Sequence, residues 1–317
     1  MKHKRVIILG DANVDLVVRL PDRSSGKLDM SGSVPQLHGG GSAANVAVAV
    51  ARLNQAVTFV GGIGDDGYGR WVTAELAGEK VDVNGLYPLD AKFTPMVLAL
   101  IEPSGERMVV VWPPQDGAHH FLPKEAIHSA FFKGAGWLHT SGMCLRKSPV
   151  RETILHAMEL AKAKGIPVSL DLNIRNEMWG YDDEARATFE QAVSLSDFVF
   201  GNAEEEICLM ARSSSIDRAL NALSTGNRTI IARIGPDGAY VSTSSQLTHI
   251  PGFEVEIVDT LGAGDAFDGG FITAMMDGLA VSESVRWGNA VAALKIGRSG
   301  GRGTPRRQEL IDFLNSQ

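Results

Sequence analysis

Short β-branched runs alternate with amphipathic segments along most of this chain, and that rhythm restricts the fold more than any other feature. Residues 6–9, 57–60, 137–140, 168–171, 198–200 and 229–233 each have the length and composition of a buried strand. Between them, residues 45–53 place Val46, Val50 and Leu53 on one helical face, and residues 151–163 do the same with Ile154, Met158 and Ala161. Parallel strands need crossover connections, which usually run through helices and cover the faces of the sheet. The alternation therefore predicts an α/β fold with a mostly parallel central sheet flanked by helices. With 317 residues, 44% of them apolar, the chain can bury such a core as a single domain over residues 1–317.

Two stretches break the rhythm. Residues 16–38 carry turn clusters at Asp22–Gly26 and Ser31–Ser33, and in residues 95–117 two apolar runs flank Pro103-Ser104-Gly105. The second stretch reads as a hairpin. Together they predict a small β-sheet that projects from the body as a discontinuous lid. Such a sheet offers free edges and an apolar face, so a homodimer through the lids is also expected.

A formal net charge of -7 repels phosphate backbones and argues against a nucleic-acid partner. Cys144 and Cys208 form no paired framework, which fits a reducing cytoplasm. The basic start Met1–Arg5 is followed only by the four apolar residues 6–9, too short for the apolar core of a secretory signal. No run approaches the ~20 apolar residues that span a bilayer.

The most informative stretch is Asp259-Thr260-Leu261-Gly262-Ala263-Gly264-Asp265-Ala266-Phe267. We read it as a strand ending near Asp259, a small-residue turn, and a helix starting at Asp265. Helix N-terminal N–H groups lack intrahelical partners and carry partial positive charge, so glycines there let a phosphate approach. A carboxylate beside that hole can take a proton from an attacking hydroxyl. Aspartate is equally a favoured N-cap, so the motif alone also fits a helix start with no chemistry.

This motif is similar to the C-terminal signature of the ribokinase-like (PfkB) carbohydrate kinase family. The N-terminal signature is matched by Gly39-Gly40-Gly41-Ser42-Ala43-Ala44-Asn45, followed by Gly61-Gly62-Ile63-Gly64-Asp65. Smaller matches are Asp11–Asp15, Asn202-x-x-Glu205 and Arg233-x-Gly235-x-x-Gly238, and all occur in the family's order. Two long motifs in order are far more specific than one glycine pattern. The resemblance implies a ribokinase-like fold and ATP-dependent phosphorylation of a sugar or related compound. It implies Asp265 as the base and Gly262, Ala263 and Gly264 as the anion hole. It also implies a sugar site at Asn13, Asp15, Gly40, Gly41 and Asn45. Asn202 and Glu205 would organise phosphate and Mg²⁺, Arg233, Gly235 and Gly238 would lie along the nucleotide, and Asn289 would sit in the adenine pocket unless it faces solvent. A K⁺-like ion is implied near Asp259 and the loop 297–304, including Thr304. Helix-end charge is expected to keep Asp265 ionised, and hence a weak base.

For the substrate, Asp171-Leu172-Asn173-Ile174-Arg175 resembles a stretch of fructokinases, ketodeoxygluconate kinases and aminoimidazole riboside kinases. Arg175 would hold a polar or anionic substrate group; its other reading is a structural ion pair. The arginine that those sugar kinases carry shortly after Gly105-Glu106-Arg107 is replaced here by Trp112-Pro113-Pro114. Ser25-Gly26-Lys27 and the run from Lys295 to Arg302 resemble kinases of sulfonated ketoses. The expected acceptor is a monosaccharide or derivative, with a nucleoside or riboside as the alternative.

Three features of the sequence bear on other classes of function. Gly297-x-Ser299-x-Gly301 fits a hydrolase elbow, but a helical pattern precedes it and no histidine follows His249. Gly39-x-Gly41-x-x-Ala44 approaches a dinucleotide fingerprint, but residues 34–38, with Pro35, make a poor strand. A non-catalytic sugar sensor has no need of Asp265. His119-His120 is read as a loop with solvated, divergent rings rather than a metal site.

Overall fold

The structure is a computed structural model that describes residues 4–21, 34–104 and 106–317. The strands are β1 (Arg5–Leu9), β2 (Asn13–Arg19), β3 (Gln36–Gly40), β4 (Val57–Gly64), β5 (Asp82–Leu89), β6 (Met96–Ile101), β7 (Arg107–Trp112), β8 (Ala135–Ser141), β9 (Val168–Asp171), β10 (Phe198–Asn202), β11 (Thr229–Arg233), β12 (Ala239–Ser242) and β13 (Leu247–Ile250). The helices are α1 (Ser42–Arg52), α2 (Gly67–Gly78), α3 (Val150–Ala163), α4 (Asn176–Trp179), α5 (Asp183–Ser194), α6 (Cys208–Ala211), α7 (Ile216–Leu223), α8 (Ala263–Met276), α9 (Val281–Ile296) and α10 (Arg307–Ser316).

The central sheet runs β13-β12-β11-β10-β9-β8-β1-β4-β5. Its strands from β11 through β5 pair in parallel, and β12 and β13 add antiparallel at one edge. All six strands expected from apolar runs are present. One face of the sheet buries residues such as Leu138, Met158 and Phe189, and the other buries Val46, Phe59 and Phe271. Both faces are covered, which is why β4 and β9 are buried along their whole length and β1 from Val6 onward, rather than on alternate residues. Cys144 and Cys208 are free and buried. No helix among the described residues is long and apolar enough to cross a membrane.

A second sheet, β3-β2-β6-β7, stands apart. It draws on Asn13–Arg19 and Gln36–Gly40, so it reaches beyond residues 16–38 at both ends, and β6 and β7 form the hairpin expected within 95–117. Ser25-Gly26-Lys27 lies outside the described residues. Residues 34–38 make a poor strand by sequence, yet 36–38 enter β3 because Pro35 stands before it and β3 is an edge that needs only one partner. That strand pairs antiparallel with β2 in the small sheet, so no dinucleotide-type βαβ unit results.

Two further expectations fail. Residues 251–260 are irregular, and Ile257 and Val258 are exposed. The segment runs from edge strand β13 to α8, and the N–H groups of Val258 and Asp259 go to the Ile296 carbonyl instead of a strand. The two imidazoles of His119 and His120 also do not diverge. A short 3₁₀ turn brings their ring centroids to 3.8 Å. Both Nδ1 atoms are buried, and burial pushes the pKa values down to about 4 and about 3.

Candidate active site

The N-terminal motif spans the junction of the two sheets. β3 ends at Gly40, Gly41 caps α1 with φ 94°, and α1 starts at Ser42. The Asp11 carboxylate accepts from the Ser42 N–H at 2.9 Å and the Ala43 N–H at 3.2 Å, satisfying the helix start. On β2, Asn13 Nδ2 donates to Asp15 Oδ1 at 2.6 Å. A Cβ at Gly40 would lie 2.6 Å from both Asp15 carboxylate oxygens, so only glycine lets that carboxylate lie against β3. Burial raises the Asp15 pKa, while Asn13 and Arg302 oppose the shift. Arg302 ties the region together: it donates to Asn45 Oδ1 at 3.1 Å and to the Gly40 carbonyl at 2.9 Å, and pairs with Glu75.

The C-terminal motif meets this junction. Helix α8 begins at Ala263, with Gly262 as its left-handed N-cap at φ 76°. Asp265 is therefore the third residue of the helix and not its cap, which removes the purely structural reading of it as an N-cap. Its Oδ1 accepts from Ser42 Oγ at 2.5 Å and its Oδ2 from Asn45 Nδ2 at 2.8 Å. Ser42 Oγ accepts in turn from Asn173 Nδ2 at 2.8 Å. Burial pushes the Asp265 pKa up to about 6 against the lowering effect of those two hydrogen bonds, with Asp171 and Asp11 adding to the rise. The carboxylate expected to be fully ionised is thus shifted toward neutrality, because desolvation outweighs the helix-end charge.

Behind the turn lies a buried polar cluster. Arg233, at the end of β11, pairs with Asp171 at 2.6 Å and with Asp268 at 3.1 Å. A Cβ at Gly264 would stand 3.0 Å from Arg233 Nη1, so the guanidinium underlies the Gly262–Gly264 turn. Asp268 is fully buried, and burial plus Asp171 raise its pKa well above the usual carboxylate range. Glu206 turns inward, accepting from the N–H groups of Ile174 at 2.7 Å and Asn202 at 2.8 Å.

The remaining expected residues fall on two sides. Asn202 ends β10 and accepts from the N–H groups of Glu204 and Glu205. Glu205 itself is exposed, lining an open cleft of about 900 Å³ with Asn176, Arg212 and Tyr240; Asp15, Asn45 and Asp265 do not line it. Gly235 and Gly238 bracket the tight turn between β11 and β12. Asn289 does not face solvent: it is buried and donates to the carbonyls of Ile250 and Pro251 at 3.2 and 2.9 Å, which fixes the adjoining wall. Arg175 is exposed, forms no ion pair among the described residues, and has φ 51° beside Asn173 at φ 40°. Two such residues after β9 strain this loop. Asp259 and Thr304 already receive protein donors: Lys295 Nζ reaches the Asp259 carbonyl at 2.7 Å, and Arg52 Nη1 the Thr304 carbonyl at 3.1 Å. Ser42, Asn173, Glu206, Asp268 and Arg302 were not singled out as site residues from the sequence, although Ser42, Asn173 and Arg302 lie inside quoted motifs.

A glycine-lined helix start beside a half-buried carboxylate of raised pKa, linked through Asn45 and Arg302 to the sheet that carries Asp15, suits an enzyme that moves a phosphoryl group onto a hydroxyl. Residues 3–307 match the family described as pfkB family carbohydrate kinase. A fructokinase of Vibrio alginolyticus is 31% identical over 98% of this chain and 99% of its own length. Among solved structures, a fructokinase with bound ATP from Xylella fastidiosa superposes with a TM-score of 0.88 at 25% identity, covering 99% of both chains. A double mutant of Vibrio cholerae O395 fructokinase in its fructose-, ADP- and potassium-bound form gives 0.83 at 30% identity, again over 99% of both. This chain belongs to the pfkB carbohydrate kinase family, and it is an ATP-dependent kinase of sugars or their derivatives with the ribokinase-like fold.

Proposed function

We propose that Asp265 is the base of this kinase. The acceptor hydroxyl loses its proton to the Asp265 carboxylate as its oxygen bonds to the γ-phosphorus, and the bond from that phosphorus to the bridging oxygen breaks to release ADP. Backbone N–H groups at Gly262–Gly264, with Arg233 beneath, stabilise the charge on the transferring phosphoryl group. The observation that carries this reading is the Asp265 carboxylate itself, half-buried, held by Ser42 and Asn45, and raised to about 6. A base near the working pH combines adequate ionisation with proton affinity.

Asp15, Asn13, Gly40, Gly41 and Asn45 form the acceptor site, where a carboxylate and amides suit neighbouring hydroxyls. The acceptor class is a monosaccharide or derivative, a ketose or sugar acid first, and Arg175 holds its polar or anionic end. Asn202, Glu205, Gly235, Gly238 and Asn289 lie on the nucleotide side. Mg²⁺ arrives with ATP, since it keeps most of its waters and takes one or two protein carboxylates; the exposed Glu205 suits that role. The K⁺ ion expected at Asp259 and Thr304 does not fit, because Lys295 and Arg52 occupy those oxygens. The small sheet acts as a lid that excludes water during transfer. Its outer strand β7 exposes Met108, Val110 and Trp112 on one face, through which two copies pair. Buried free thiols fit a reducing cytoplasm.

The test is ATP consumption against a panel of pentoses, hexoses, ketoses, sugar acids and nucleosides. Turnover with one acceptor class, abolished in Asp265→Asn, supports the proposal. ATP use that no acceptor stimulates overturns it.

A further inference from the structure

Lys295 lies in the last turn of α9 and is fully buried. Its ammonium donates to the Asp259 carbonyl at 2.7 Å. The Asp259 carboxylate is taken by backbone donors, Oδ1 by the Leu261 N–H at 3.0 Å and Oδ2 by the Gly300 N–H at 2.9 Å. On the far side of the same loop, Arg52 Nη1 reaches the Thr304 carbonyl at 3.1 Å and approaches its hydroxyl at 3.5 Å, and also donates to the Arg302 carbonyl. A potassium ion is held by oxygens in place of its water shell. Here the oxygens that would supply such a shell already face two fixed protein cations, and an added ion would be repelled at close range in a poorly solvated region. Residues 297–304 pack directly on the anion hole: a Cβ at Gly262 would lie 2.5 Å from the Gly301 carbonyl. Burial lowers the Lys295 pKa, and the carboxylates of Asp259 and Asp265 resist that shift, so its charge is felt at the catalytic carboxylate.

We infer that Lys295 is a built-in replacement for a monovalent cation. Its ammonium neutralises the oxygens of the Asp259 segment and holds the 297–304 loop against the Gly262–Gly264 turn, so nucleotide binding does not depend on K⁺. The Vibrio cholerae fructokinase structure contains a potassium ion; this chain carries the charge covalently. The inference rests on the reading that the Gly262–Gly264 turn holds phosphate.

The experiment is calorimetric titration of ADP, at constant Mg²⁺, in buffers whose only monovalent cation is either K⁺ or the oversized tetramethylammonium. Wild type is expected to bind with the same Kd in both, within about twofold. Lys295→Ala is expected to lose about tenfold or more in tetramethylammonium and to recover in K⁺. Lys295→Met, which keeps the side-chain volume, serves if the alanine variant does not fold, and is expected to lose binding without recovery because its side chain fills the site. A wild type that gains tenfold from K⁺, or a Lys295→Ala variant that binds as wild type does without K⁺, overturns the inference. Wild type that binds no ADP in either salt overturns the phosphate-site reading itself, and this inference with it.

Discussion

Ser42→Ala removes one hydroxyl hydrogen bond from the Asp265 carboxylate and should move the acid limb of the enzyme's pH profile. Ser42 Oγ donates to Asp265 Oδ1 at 2.5 Å, in a site where burial already lifts that pKa to about 6. A hydrogen bond to a charged group contributes about 1.5–3 kcal/mol. At 1.36 kcal/mol per unit, its loss raises the pKa of the free enzyme's base by about 1–2 units. The sign follows from which form is stabilised: Ser42 donates to the ionised carboxylate, so removing it favours the protonated, inactive form. The assay is kcat/KM from pH 5 to 9, which reports the free enzyme. The expected result is an acid limb moved from about 6 to about 7–8, with a loss of about tenfold near pH 6 and a smaller change at high pH. Ser42→Thr keeps the hydroxyl and should keep the limb. An unmoved limb in Ser42→Ala would refute the claim that this contact sets the base.

The folded-state rise of the Asp265 pKa also makes a stability prediction. Its contribution is fully present below about 4 and is lost as pH rises through about 6, so at pH 7.5 the ionised carboxylate weakens the fold by up to about 3 kcal/mol. Thermal melts of Asp265→Asn should therefore show a higher Tm than wild type at pH 7.5, with the gap closing near pH 4; a lower Tm at pH 7.5 would count against the burial argument. Arg175→Ala should raise KM for the acceptor about tenfold or more with little change in KM for ATP, the loss of a charged contact. Equal changes in both, or none, would remove Arg175 from the acceptor site. Val110→Lys, on the outer strand of the small sheet, should convert a dimer to a monomer in light scattering; a monomeric wild type would end that reading.

The central sheet was legible because strands buried on both faces are continuous apolar runs, and six of them stood out. The strands missed are at the edges. β5 contains Asn84, Gly85 and Pro88, and β12 and β13 are four residues each, so neither composition nor length marked them. The false strand before Asp259 has β-branched residues at Val255, Ile257 and Val258, but its N–H groups at Val258 and Asp259 go to the end of α9 rather than to a strand, a contact that only the assembled fold reveals. In the site, Asp265 and Asn45 were readable from motifs, whereas their contact joins residues 220 apart in the chain. The Ser42–Asp265 bond and the pairing of Arg233 with Asp171 and Asp268 are tertiary in the same way. That Glu206 turns inward while Glu205 stays exposed has a local cause. Residues Ala203–Ile207 form a π-helical turn, whose extra residue shifts the register that an α-helical reading assumes. Lys295 reads in sequence as one more charge in a basic run, and only its burial reveals it as a fixed cation.

The most direct test of the account is steady-state kinetics of Asp265→Asn with an acceptor found in the screen. Asparagine keeps the shape of the side chain and cannot take the hydroxyl proton. The account predicts a fall in kcat of about 10²–10⁴-fold with KM for acceptor and ATP far less affected, the range for losing a positioned acid–base group. A near-normal kcat in Asp265→Asn would contradict it.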